Sequence, residues 1–148
     1  MVGFIGRETE LQMLQRRYDS GKFECVVVYG RRRIGKTALI NRFVQDKPAI
    51  FYTATENGAE RNLKGLSASI ARYRNGLNSV GSPVYEDYRD AFEDVFRMAE
   101  RDRLILVIDE YPYLAKAEPM VSSLLQQLID QHHGTGKLML ILSGSSMS

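Results

Sequence analysis

The chain holds a single cysteine, Cys25, so no disulfide can form within it, which fits a reducing cytoplasm. Long apolar runs are missing too. The longest, such as 104–108 and 138–142, extend about five residues, whereas a membrane-spanning helix needs roughly 20. At the N-terminus Gly3 and the Arg7-Glu8 pair interrupt the apolar core that a secretory signal would need. Neither sign of charge dominates: 20 basic against 18 acidic residues leave +2, too little to argue for a nucleic-acid partner. There is no internal repeat and no low-complexity tract. The remainder is ordinary for a globular protein, with 44% hydrophobic and 26% charged residues in 148, enough for one domain with its own core.

Against that plain background one octapeptide stands out. Residues 30–37 read Gly-Arg-Arg-Arg-Ile-Gly-Lys-Thr, the pattern G-x-x-x-x-G-K-[ST] of a phosphate-cradling loop. An apolar run at 25–29 precedes it as a strand, and a helix-compatible stretch at 37–44 follows. Strand, glycine loop and helix N-terminus are the context the motif requires. Gly30 and Gly35 permit backbone conformations that a Cβ would penalise. Successive N–H groups, those of Arg33, Ile34 and Ala38 among them, can then surround an anion at the positive end of the helix. Lys36 would reach the β- and γ-phosphates of a nucleotide, and the Thr37 hydroxyl would ligate Mg²⁺. The arginine side chains at 31–33 read as solvated, with extra phosphate contact as the alternative. Cys25, inside the apolar strand, reads as a core residue rather than a nucleophile.

Strands and helices alternate along the rest. Leu11, Leu14 and Tyr18 predict a helix over 7–18, and a strand at 24–29 leads into the loop. After a helix at about 36–45, Pro48 precedes a strand at 49–53. Leu63, Leu66, Ile70 and Tyr73 mark a helix over 59–74, and the turn-forming stretch 75–83 follows it. A helix over 84–101 carries Tyr85, Tyr88, Phe92, Val95 and Phe96 as a core stripe. Residues 104–108 form a uniformly apolar strand, buried on both faces. Pro119 opens a helix with Val121, Leu124, Leu125, Leu128 and Ile129 inward, and Gly134 or Gly136 caps it before a strand at 138–142. The pattern predicts an α/β fold with a parallel sheet covered on both faces.

The second constellation closes the 104–108 strand. Asp109-Glu110 lies about 70 residues after the loop, at the carboxyl end of a parallel strand, where such sheets keep their ligand crevice. Asp109 would hold Mg²⁺, through water where the ion keeps its hydration. Glu110 would orient and deprotonate a water for in-line attack on the γ-phosphate. At the end of the last strand, Ser143 to Ser146 could sense that phosphate or form a plain polar turn. Thr55, Glu56 and Asn57 could gate Glu110, though a plain loop is the simpler reading. Adjacent helical residues point about 100° apart, so His132 and His133 read as solvated imidazoles rather than a metal pair.

Phe4-Ile5-Gly6-Arg7-Glu8, the loop at 29–37, Ile108-Asp109-Glu110-Tyr111-Pro112-Tyr113-Leu114 and Leu142-Ser143-Gly144-Ser145-Ser146 together resemble the archaeal-type ATPases. These are P-loop ATPases related to the AAA+ and STAND groups. The resemblance implies a three-layer α/β/α P-loop NTPase fold, with ATP and Mg²⁺ bound. It also implies that Phe4, Ile5, Gly6 and Arg7 lie over the adenine and that Ser143 to Ser145 occupy the sensor position. Family members continue through a fifth strand, a helical lid and usually a C-terminal domain, in sheet order 5-1-4-3-2. On that comparison the sequence is expected to be an ATPase core ending after the fourth strand. The first strand then becomes a sheet edge prone to association. The function implied is cytoplasmic ATP hydrolysis coupled to conformational change, slow in this piece, with a protein partner or self-association. A nucleotide-gated switch with little turnover is the alternative. A small-molecule kinase fits less well, because Glu110 would activate water there.

Overall fold

The computed structural model describes residues 2–30, 35–76, 83–132 and 134–145, except the side chains of 2–7 and 145. In chain order these form α1 (Val2–Asp19), β1 (Glu24–Gly30), α2 (Lys36–Val44), β2 (Ala49–Thr53) and α3 (Ala59–Asn75). There follow α4 (Tyr88–Arg101), β3 (Leu104–Asp109), α5 (Tyr111–Ala117), α6 (Met120–His132) and β4 (Leu138–Ser145). The four strands pair in parallel in the order β1-β4-β3-β2, the order the family resemblance implies for them.

Strand side chains alternate between faces, and the two apolar sets divide accordingly. Val26, Ile105, Val107, Met139 and Ile141 pack under α1 and α2, against Leu14, Ile40 and Phe43. Ile50, Leu104, Leu106, Ile108, Leu138 and Leu140 pack beneath α3, α4, α5 and α6. This is the expected three-layer α/β/α arrangement. Phe92 and Phe96, fully buried on the second face, are its largest filled volumes. Truncating either to alanine removes about 3–5 kcal/mol, the usual cost of emptying a packed aromatic site.

All six positions of β3 are buried, as the uniform apolar run predicts. β1 differs. It lies at the sheet edge, and its outward alternation leaves Val27 49% and Tyr29 66% exposed. Cys25 shares that face and is also exposed, which corrects its reading as a core residue. Apolar composition says that a strand is compatible with burial; its place in the sheet decides whether both faces are covered.

The helix boundaries also shift. α1 begins at Val2 rather than at 7, because Gly3 and Gly6 are tolerated inside a helix at about 1 kcal/mol each. α4 begins at Tyr88 rather than at 84. Asp87 is its N-cap, its Oδ1 accepting from the Asp90 N–H at 2.8 Å, so Tyr85 precedes the helix. α5 is an additional element. His132 is only partly solvated: its Nδ1 lies 2.9 Å from Glu100 Oε2, and its ring tilts against Phe96. His133, Arg31 to Ile34 and Ser146 lie outside the described residues.

Candidate functional site

Strand register brings the carboxyl ends together. Thr53 pairs with Asp109, Val28 with Ser143, and Ile108 with Leu142. β1 therefore ends beside the strand that carries Ser143, and that strand ends beside Asp109. α2 starts at the same rim. Gly35 takes φ +74°, a left-handed conformation that glycine adopts freely, and its carbonyl accepts from the Leu39 N–H at 2.9 Å. The first N–H groups of a helix have no partner within it, so this end offers donors and a positive dipole to the rim.

Five of the residues singled out in the sequence meet here. The Thr37 hydroxyl donates to Asp109 Oδ2 at 2.9 Å, and the Ser143 hydroxyl donates to Asp109 Oδ1 at 2.7 Å. The Glu110 N–H also donates to Oδ1, at 3.1 Å. Asp109 is thus a buried carboxylate with three donors turned toward it. Lys36 is buried as well, and its Nζ lies 3.6 Å from Glu110 Oε2. The Glu110 carboxylate keeps 27% of its side-chain surface open to solvent.

Glu110 is itself unusual. Its φ of +55° is, among the described non-glycine residues, the sole positive value. Such a conformation costs of order 1–3 kcal/mol and persists where its surroundings hold it. Two hydrogen bonds and a proline do so. Its N–H is bound to Asp109, its carbonyl accepts from the Tyr113 N–H at 3.0 Å, and Pro112 sits in the first turn of α5.

A neighbouring network shapes the β2 exit. Asn62 of α3 is completely buried. Its Oδ1 accepts from the Tyr52 hydroxyl at 2.5 Å and the Thr55 N–H at 3.0 Å, while its Nδ2 donates to the Thr55 and Gly58 carbonyls. Burial pushes the Tyr52 phenol up, so it stays a donor. The Ala54 N–H donates to the Asp109 carbonyl at 2.9 Å, joining this turn to the acidic pair. Thr55, Glu56 and Asn57 are exposed on it. Sequence reasoning missed Asn62, since one asparagine in a helical stretch carries no pattern. It also missed α5, for which Pro112 was an available start signal.

Gly30 pairs with Ser145 at the end of β1, and Ala38 lies exposed on α2. Phe4, Ile5, Gly6 and Arg7 are helical within α1, but their side chains, like Arg33 and Ile34, lie outside the described residues. Among the described residues no group of three His, Cys, Asp or Glu side chains could hold a metal, and no helix is long and apolar enough to cross a membrane.

Known proteins resemble this chain in sequence and in fold. An uncharacterized protein of Methanocaldococcus jannaschii is 37% identical over 145 residues, covering 98% of this chain and 30% of its own length. An uncharacterized ATP-binding protein of the same organism is 43% identical over 47 residues, 32% of this chain and 80% of the relative. Among solved structures, the Walker-type ATPase of Pyrococcus abyssi superposes with a TM-score of 0.69 at 21% identity, over 93% of this chain and 44% of that one. The Aeropyrum pernix ORC2 protein, in ADPNP–ADP complexes, gives 0.61 at 19% identity over 95% of this chain and 40% of that one. At such identities the structural likeness is one of fold. The chain spans about a third of the first relative and under half of either structure. Residues 4–148 match the model of an ATPase domain found predominantly in Archaea, and the chain belongs to that family.

Proposed function

We propose that residues 1–148 form the nucleotide-binding core of a Mg²⁺-dependent ATPase whose hydrolysis drives a conformational change in a larger protein. The observation that carries this reading is the convergence of Lys36, Thr37, Asp109, Glu110 and Ser143 at one rim of the sheet, within 2.7–3.6 Å of one another in linked pairs. A buried ammonium beside a left-handed glycine at a helix N-terminus suits a polyphosphate tail. Thr37 and Asp109 offer hard oxygen donors 2.9 Å apart, the type Mg²⁺ takes, and the ion commonly completes its shell with phosphate oxygens and water. When bound there with the nucleotide, Mg²⁺ would neutralise charge on the phosphates.

Each residue then has a task. Lys36 holds the β- and γ-phosphate charge, and the N-terminus of α2 adds its main-chain donors. Asp109 is oriented by its three hydrogen bonds. Glu110, with part of its carboxylate open to solvent, accepts the proton of a water as that water attacks the γ-phosphorus in line. Ser143 links the sensor strand to Asp109. Phe4 to Arg7 are the candidates for contact with the base, and a protein partner or a second copy for coupling. Cytoplasmic residence suits both the nucleotide and the lone thiol.

Turnover of ATP by the full chain and by Glu110→Gln tests the reading. Loss of most turnover with nucleotide binding kept is the expected result; equal rates would overturn hydrolysis in favour of a nucleotide-gated switch. Glu110 itself favours hydrolysis, because a pure switch has no use for a water-activating acid.

A further inference from the structure

Two segments far apart in sequence touch at one point behind the acidic pair. Gly144 follows Ser143 on β4, is buried, and pairs in register with Tyr29 of β1. A Cβ built on Gly144 would lie 2.6 Å from Pro112 Cδ and 2.8 Å from Pro112 Cγ, closer than real Cβ contacts come. The obstruction is a ring closed onto the main chain, so it cannot swing away as a flexible side-chain tip could. Pro112 lies two residues after Glu110 and in the first turn of α5. Any side chain at 144 must therefore move the start of α5, and with it the left-handed turn at Glu110.

From this contact we propose that Gly144 is a positioning residue for Glu110. Its missing side chain lets the Pro112 ring seat directly on β4. The seated ring fixes where α5 begins, and α5 in turn receives Glu110 through the Tyr113 N–H. β4 also delivers the Ser143 hydroxyl to Asp109, the same carboxylate that binds the Glu110 N–H. The sensor strand therefore locates the acid twice: through Asp109 from one side and through Pro112 from the other. The proposal rests on the reading of Glu110 as the water-activating acid.

The test compares Gly144→Ala, Pro112→Ala, the double variant and Glu110→Gln in the full chain, measuring kcat and KM for ATP and Kd for ADP. Gly144→Ala is expected to lower kcat by about 10- to 100-fold, the scale of a displaced catalytic group, with KM and Kd within about 3-fold of wild type. Alanine at 112 removes Cγ and Cδ, so the double variant should recover to within about 3-fold of Pro112→Ala alone. A purely structural role for the glycine would predict loss of stability without rescue specific to kcat. Unchanged kcat in folded Gly144→Ala, or no recovery in the folded double variant, overturns the proposal. If Gly144→Ala alone does not fold, the double variant decides: a folded, active protein supports the proposal, and an unfolded or inactive one overturns it. Wild-type turnover in Glu110→Gln would overturn the underlying reading as well, and is seen separately from the rescue.

Discussion

The Lys36 ammonium and the Glu110 carboxylate face each other at 3.6 Å, the lysine almost completely shielded from water. This pair sets the group proposed to bind phosphate against the group proposed to activate water. A nucleotide bound as proposed would take the lysine from the glutamate and free the acid. Glu110→Asp keeps the charge but is one methylene too short to maintain the contact. Glu110→Asp and Glu110→Gln are both expected to tighten ADP binding by about 3- to 10-fold, roughly 0.7–1.4 kcal/mol. Calorimetry measures this directly. An Asp variant with wild-type affinity would show that the pair is not what the nucleotide displaces.

Asn62 makes the second prediction. Replacing it with leucine leaves the buried Tyr52 hydroxyl and the N–H and carbonyl of Thr55 without their shared partner, while the Gly58 carbonyl keeps only the backbone N–H of residue 62. A loss of about 2–4 kcal/mol is expected, the range for breaking a buried hydrogen-bond hub. Urea denaturation monitored by circular dichroism gives the value, and a change below about 0.5 kcal/mol would remove the network from any role in stability.

The third concerns Arg103, just before β3. Its guanidinium donates to the carbonyls of Arg17, Tyr18, Lys22 and Lys137 and lies over the Tyr18 ring. Arg103→Lys keeps the charge but lacks the planar fork that reaches several carbonyls at once. A stability loss of about 1–3 kcal/mol is expected, with ADP affinity unchanged because the site lies at the opposite ends of the strands.

Alkaline pH supplies the fourth. Burial and the neighbouring Asp94 raise the Tyr85 phenol from the usual 10.0 to about 12, and burial pushes Tyr88 up further. The raised values mean that the folded state keeps protons that the unfolded chain releases. Their contribution is fully present below pH 10 and drains away as pH rises toward 12. Denaturation midpoints should be flat between pH 8 and about 9.5 and fall above it. Tyr85→Phe should make that fall shallower; an identical slope would show that Tyr85 does not share in it.

Much of the fold was legible because buried parallel strands are nearly pure apolar runs. β3 and β4 declared themselves that way, the glycine loop pointed to Lys36 and Thr37 and the acidic pair to Asp109 and Glu110, while Ser143 stayed open between a phosphate sensor and a plain polar turn. The rest depended on long-range placement. The exposure of Cys25 comes from the edge position of β1, which its own residues do not encode. α5 is only seven residues long, too short for a helical stripe to repeat. Tyr85 fits the spacing of α4, yet Asp87 starts the helix after it, because a side-chain cap outweighs periodicity at a boundary. The meeting of Gly144 with Pro112, and of Asn62 with the β2 exit, has no local signature at all.

The strand between Arg103 and Asp109 is short and stiff. Its six residues, at roughly 3.3 Å each, make a strut about 20 Å long. One end is moored by a guanidinium to the end of α1 and to the segments entering β1 and β4; the other carries the carboxylate proposed to hold Mg²⁺. A load applied at that carboxylate therefore meets a fixed post rather than a yielding loop.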